Sequence, residues 1–193
     1  SLPLVEDPAI VEASILKAQA LSRQIVCLNE DLNAYGQRIA TLFAAHPERA
    51  LFEALPGAGP ALAPRLLVAM GTDRQRFASA EEVASYSGIA PVTERSGKHT
   101  WIHWRLSCCK FLRQTFHEYA NRSRQKSRWA AAYYDSQRAR GKSHHAAVRA
   151  LAYKWIRIIY RCWEQREVYD EARYLASLER RNSPLTKVMA EAA

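Results

Sequence analysis

The chain has 193 residues, 48% of them hydrophobic, and a formal net charge of +9 at pH 7. That length fits one ordinary domain plus an appendage, and the apolar share excludes wholesale disorder. No apolar run approaches the roughly 18–20 residues needed to cross a bilayer, and Glu6 and Asp7 stand where a secretory or transit signal would be basic.

The chain opens Ser1-Leu2-Pro3 without an initiator Met, as expected of a fragment. A long helix comes first. Positions 11, 14, 18, 21, 25, 28, 32, 35, 39 and 42 alternate in steps of three and four and carry Val11, Ser14, Ala18, Leu21, Ile25, Leu28, Leu32, Tyr35, Ile39 and Leu42. This mostly apolar heptad stripe predicts a coiled-coil seam about 47 Å long, too long for one small core to cover. Gly36 weakens the helix and Pro47 ends it. Residues 1–47 are therefore expected to be a dimerisation helix.

A short helix over 49–55 leads into Pro56-Gly57-Ala58-Gly59-Pro60, and Leu62, Leu66, Leu67 and Met70 continue at helical spacing up to Gly71. A dinucleotide fingerprint needs a preceding strand and a small residue where Leu62 stands, and neither is present. The pattern fits a helix-hairpin-helix turn in which Gly57 and Gly59 bring backbone N–H groups to a DNA phosphate. It fits a plain interhelical turn equally well. Ser79 with Glu82 predicts a capping box and a short helix to Tyr86.

Residues 92–103 are the least helical and leave room for one short β-hairpin with Ser96-Gly97 at its turn. Helices are then predicted near 104–124, 127–140 and 143–165, and a ragged one at 168–181 trails off before Pro184. The fold class is mainly α: a coiled-coil helix, a compact helical domain over 48–165, and a C-terminal helix and tail over 166–193.

Charge is distributed unevenly. Residues 95–161 hold sixteen Lys and Arg against only Glu118 and Asp135, whereas the other segments are slightly acidic. Such an excess predicts a polyanion partner. The aromatics interleaved with it fall mostly on the apolar stripe of the 143–165 helix and are expected in the core. His99 and His103, with Cys108, Cys109 and His117 nearby, lack a second correctly spaced pair for zinc. The four cysteines show no C-x-x-C spacing, and reduced thiols in a cytoplasm are expected. Ser96 is chemically the most suggestive side chain, because Arg95, Lys98, His99 and Arg105 surround it in sequence. A serine attacking a phosphodiester needs cations to balance the oxyanion. By chemistry alone an ordinary turn serine is the better reading.

The order of these motifs carries more than any one of them. Residues 55–60, then 76–91, then Arg95-Ser96-Gly97-Lys98, then Phe111-Leu112-Arg113, Tyr133-Tyr134 and Arg140-Gly141-Lys142 resemble the C-terminal transposase domain of the insertion-sequence 110/116/902 family over about residues 50–165. The resemblance implies an RNA-guided recombinase, related to DNA invertases, with Ser96 as nucleophile. It implies Gly57, Gly59, Arg95, Lys98, Arg105, Lys110 and Arg113 as nucleic-acid contacts. It also implies DNA and a structured guide RNA as partners, a homo-oligomer through residues 11–42, and a bacterial cytoplasmic location. The family's divalent metal, magnesium, would sit in an acidic resolvase-like domain with no counterpart in these 193 residues, so this chain alone is expected to be inactive. The sequence departs from many relatives at Ser107-Cys108-Cys109-Lys110, where they carry a Gly-containing basic stretch. A different class of function, a non-catalytic architectural module gripping DNA through the hairpin turn, remains open, as does an RNA-binding scaffold.

Overall fold

A computed structural model describes residues 7–97 and 99–191, and these fall into two units, one ending at Ala45 and one beginning at His46. The first unit is a single helix, α1 (Pro8–Ala44). Pro8 at its first turn needs no hydrogen-bond acceptor, and the Asp7 carboxylate accepts from the Ala9 N–H at 3.0 Å. None of its residues is buried, so the whole apolar seam faces outward; Leu28 and Leu32 are 60% and 65% exposed.

The second unit runs α2 (Arg49–Glu53), α3 (Gly59–Met70), α4 (Ala80–Tyr86), β1 (Val92–Ser96), β2 (His99–His103), α5 (Lys110–Ser123), α6 (Arg128–Ala139), α7 (His144–Gln165), α8 (Glu171–Arg180) and α9 (Pro184–Glu191). No helix among the described residues is long and apolar enough to cross a membrane. The apolar stripe of α7 packs against α4, α5 and α6 and forms the centre of the core. Trp155 on α7 lies within ring contact of Trp129 at 4.6 Å, Tyr119 at 5.2 Å and Tyr169 at 5.3 Å. Burying one such ring removes roughly 150–250 Å² from water, which at ~25 cal/mol per Å² favours folding by about 4–6 kcal/mol before entropy. That gain requires a partner for each indole N–H. Trp155 donates to Ser123 Oγ at 2.7 Å, Trp129 to the Tyr169 hydroxyl at 2.9 Å, and Trp163 to the Gly71 carbonyl at 2.6 Å.

The Ser79 hydroxyl accepts from the Glu82 N–H at 3.1 Å, as the capping box requires. Two elements differ from expectation. The helix predicted from residue 104 begins only at Lys110. Residues 104–109 are held irregular because the Arg113 guanidinium reaches back to the carbonyls of Arg105 and Leu106, and the Cys109 N–H donates to the Tyr86 carbonyl at 3.1 Å. Beyond α8, the chain forms α9, which packs on α6 and buries Leu185. Pro184 begins that helix instead of merely ending the previous one.

Candidate functional site

The hairpin forms because Gly97 adopts φ +59°, a left-handed conformation that costs glycine nothing and closes a tight turn. Its register pairs Ser96 with His99, Arg95 with Thr100, Glu94 with Trp101, Thr93 with Ile102 and Val92 with His103. Residues alternate between faces along a strand, and directly opposed residues share one. Ser96, Glu94, His99, Trp101 and His103 therefore lie on one face, and Arg95, Thr100 and Ile102 on the other. Side-chain contacts agree: the His99 and Trp101 rings stack at 5.8 Å, and His103 Nε2 lies 3.3 Å from a Glu94 carboxylate oxygen.

Ser96 is exposed, and so is the rest of the hairpin from Thr93 through Gly97 and from His99 through His103. An apolar ridge accompanies it: Trp101 is 48% exposed, Ile102 70%, Trp104 56% and Leu106 82%. These rings are not core. Lys98 lies outside the described residues.

In the 104–113 segment and on α7, cations are held by specific contacts. The Arg149 guanidinium lies over the ring of Trp104. Burial, together with the positive charge of Arg113, pushes the Arg149 pKa down to about 10. Arg113 spans the 104–109 segment as described, and the Nε atoms of both Arg105 and Arg113 are buried with no acceptor among the described residues. Lys110 is exposed at the first turn of α5. Next to Arg149, the His117 and His145 rings lie 5.7 Å apart. Burial first, then the charges of His145 and Arg149, lowers the His117 pKa from 6.5.

The glycine turn is a second element of the site. Gly57 and Gly59 have φ of +82° and +55°. They are not equivalent: a Cβ on Gly57 would meet the Arg122 carbonyl oxygen at 3.0 Å, whereas nothing lies within 4 Å of one on Gly59. Gly57 thus allows the turn to pack on the end of α5, and Gly59 faces open space at the start of α3. Between turn and α5 is a groove of about 910 Å³ whose charged lining includes Arg65, Arg122 and Lys126 but also Glu53 and Glu118. Arg65 is already ion-paired with Glu118.

Arg105, Lys110 and Arg113 share the 104–113 segment, tied through Cys109 to the end of α4, whereas Ser96 stands at the turn end of the hairpin, away from its Val92–His103 base, with Arg95 on the opposite face. The sequence reading missed Arg149 and Gly88, whose buried backbone at φ +68° admits Arg113 and Cys108. A glycine at the end of a helix was a visible signal; the side chain it accommodates was not. Among the described residues, no three His, Cys, Asp or Glu side chains converge to hold a metal ion, and all four cysteines are free.

Residues 49–135 match the family model described as Transposase IS116/IS110/IS902 family. The chain is 32% identical over 173 residues to a Streptomyces coelicolor protein named as the mini-circle transposase for IS117, covering 89% of this chain and 41% of that protein. It is 32% identical over 163 residues to the 43.6 kDa protein of insertion element IS110 from the same organism, covering 83% of this chain and 39% of that one. To the 42 kDa protein of insertion element IS900 from Mycobacterium paratuberculosis it is 29% identical over 154 residues, covering 79% and 38%. The chain therefore spans about two fifths of the length of these relatives.

Proposed function

Residues 49–135 form a domain of the IS116/IS110/IS902 transposase family, and from that premise we propose that the chain is the C-terminal part of an insertion-sequence recombinase that binds DNA and supplies Ser96 as nucleophile. The observation that carries this reading is the position of Ser96. It is the last residue of an exposed strand, beside a glycine turn with open space around it.

In this reading Ser96 Oγ attacks a DNA phosphorus in line with the departing deoxyribose oxygen. The Oγ–P bond forms as the P–O bond breaks, the hydroxyl proton passes to solvent, and one strand end is held as a phosphoserine ester. In this reading Arg105 and Arg113 add positive charge that favours the DNA backbone. In this reading Lys110, exposed at the start of α5, and Lys98 add positive charge. Arg95, on the opposite face, contacts the flanking backbone. Gly59, rather than Gly57, offers its backbone to a second phosphate.

A structured guide RNA is the second polyanion in this reading, and the exposed seam of α1 joins two copies of the chain. In this reading a divalent metal, magnesium, would be supplied by the acidic domain that the resemblance implies. The chain by itself is then a binding module that does not cut.

The test is Ser96→Ala in the parent enzyme, assayed on duplex DNA bearing the gene's natural flanks. Loss of both strand exchange and a covalent protein–DNA species, with binding retained, is expected. Full activity would remove the nucleophile from Ser96. Absence of any covalent species in the unmutated enzyme would favour the architectural reading.

A further inference from the structure

The C-terminal half of α7 and the facing side of α8 enclose a groove of about 490 Å³. Lys154, Arg157, Arg161, Arg173, Arg180 and Arg181 line it, against the carboxylates of only Glu167 and Asp170. Both carboxylates are already committed. Asp170 caps α8 by accepting from the Arg173 N–H at 3.1 Å, and Glu167 pairs with the Arg173 guanidinium at 2.9 Å. Among the described residues the remaining cations of the groove have at most one weak, exposed ion pair. Arg157 approaches Glu81 only to 3.9 Å with both ends exposed, and Arg161 donates to the neutral Gln165 at 3.3 Å. Lys154 lies 4.7 Å from the centre of the Tyr133 ring and 5.6 Å from that of Trp129. Burial and the neighbouring charge of Arg157 lower its pKa.

Several like charges gathered around one concavity repel one another, and folding keeps them there only at a cost that a polyanion would offset. Their arrangement identifies the kind of polyanion. Lys154, Arg157 and Arg161 recur at three- and four-residue steps, so they form a row along α7 with rises of roughly 4.5 and 6 Å. A row suits a linear chain of charges. Five of the six cations are arginines, whose planar fork matches phosphate oxygens in pairs. Tyr174 adds a half-buried aromatic face at the same groove, and such faces accept any base.

We propose that this groove seats the sugar–phosphate backbone of a nucleic-acid strand, giving the C-terminal helices a nucleic-acid contact of their own besides that of the hairpin. The inference rests on the reading that the protein works on nucleic acid, and it adds a second place where the strand is held.

The test is a salt series of binding to fluorescent duplex DNA, single-stranded DNA and an RNA hairpin, comparing the full chain with an Arg157→Ala/Arg161→Ala/Arg181→Ala variant of matched thermal stability. Each lost phosphate contact lowers the slope of log K against log salt by about 0.9 on duplex and about 0.7 on a single strand. A fall of roughly 2–3 is therefore expected on at least one probe, and the probe with the larger fall identifies the strand as DNA or RNA. A control, Lys17→Ala/Arg23→Ala/Arg38→Ala, removes the same charge from α1 and should leave the slope unchanged. An unchanged slope in the groove variant, or an equal fall in the control, overturns the groove and leaves the proposed function standing. No salt-dependent binding by the unmutated chain overturns both. Independently of any variant, bound nucleic acid should protect Arg161 and Arg181 from phenylglyoxal; undiminished modification would overturn the groove.

Discussion

Gly88 and Arg113 occupy one another's space: a Cβ on Gly88 would lie 2.8 Å from Arg113 Nη2. Cys108 Sγ is equally close, and the glycine has φ +68°. Through this contact the end of α4 positions the arginine that bonds the carbonyls of residues 105 and 106.

Gly88→Ala should therefore destabilise the second unit by about 2–4 kcal/mol, combining left-handed strain with overpacking. Urea denaturation measures it. Shortening Cys108 to Ala in the same chain should return only part of the loss, since the sulfur is one of three atoms within 3.0 Å and the Cys108 Cβ, at 2.9 Å, remains. A neutral Gly88→Ala would mean that this corner is loosely packed.

The two glycines of the 56–60 turn should respond differently. Ala at Gly57 meets the backbone of Arg122 and Ser123 at 3.0–3.2 Å, where nothing can swing aside. Ala at Gly59 suffers only its left-handed φ, which costs roughly 1–2 kcal/mol. Gly57→Ala is expected to cost the more of the two in stability. Gly59→Ala should show its larger effect in DNA affinity. Equal losses in both measurements would remove the distinction between packing glycine and contact glycine.

Where the sequence was legible, the information was local. Ser79 and Glu82 announce a helix start by themselves, and the three- and four-residue steps of α7 reveal its buried face. Arg113 shows why other features were not: its side chain decides whether residues 104–109 are helical, yet it acts on carbonyls seven and eight residues earlier. The facing of Arg95 away from Ser96 depends on a strand register, which a one-residue slip would invert. Pro184 was read as a terminator, although proline is equally at home in a first helical turn. The α8 side of the basic groove was hidden by averaging, because the tail is slightly acidic as a whole while its arginines converge on those of α7.

The seam of α1 makes a prediction about assembly. Ile25, Leu28 and Leu32 are 60–65% exposed within one chain. Leu28→Glu with Leu32→Glu places charges on that seam and should shift the protein to monomers in sedimentation, while the melting of the second unit stays unchanged. Unaltered association would place the interface elsewhere.

The lowered pKa of His117 sets a pH dependence with a definite sign. Burial, reinforced by His145 and Arg149 and with a smaller push from His144, disfavours its charged form in the folded state. The unfolded chain therefore binds this proton at higher pH than the folded one. Stability is full above about pH 6.5 and declines as pH falls below that value, reaching its full loss once pH is below the folded pKa. The urea midpoint should accordingly be lower at pH 5.5 than at pH 7.5, and His117→Gln should flatten that difference. A variant with the same pH dependence as the unmutated protein would exclude His117 as its source.

Arg95 and Ser96 are adjacent in sequence but separated by the hairpin, and their substitutions should separate as well. Arg95→Ala removes a cation on the face away from Ser96, so it is expected to weaken DNA binding uniformly across sequences and to reduce the salt slope by about 0.9. At saturating DNA the covalent species should still form at close to the unmutated rate, because no charge next to the attacked phosphate has been lost. Ser96→Ala should give the reverse: unchanged slope and no adduct. Arg105→Ala, which takes a guanidinium from the 104–109 segment, should reduce adduct formation even at saturation. If Arg95→Ala proves as damaging to the chemical step as Arg105→Ala, the strand register must change when DNA binds, and the face carrying Ser96 would have to be assigned again from the bound state.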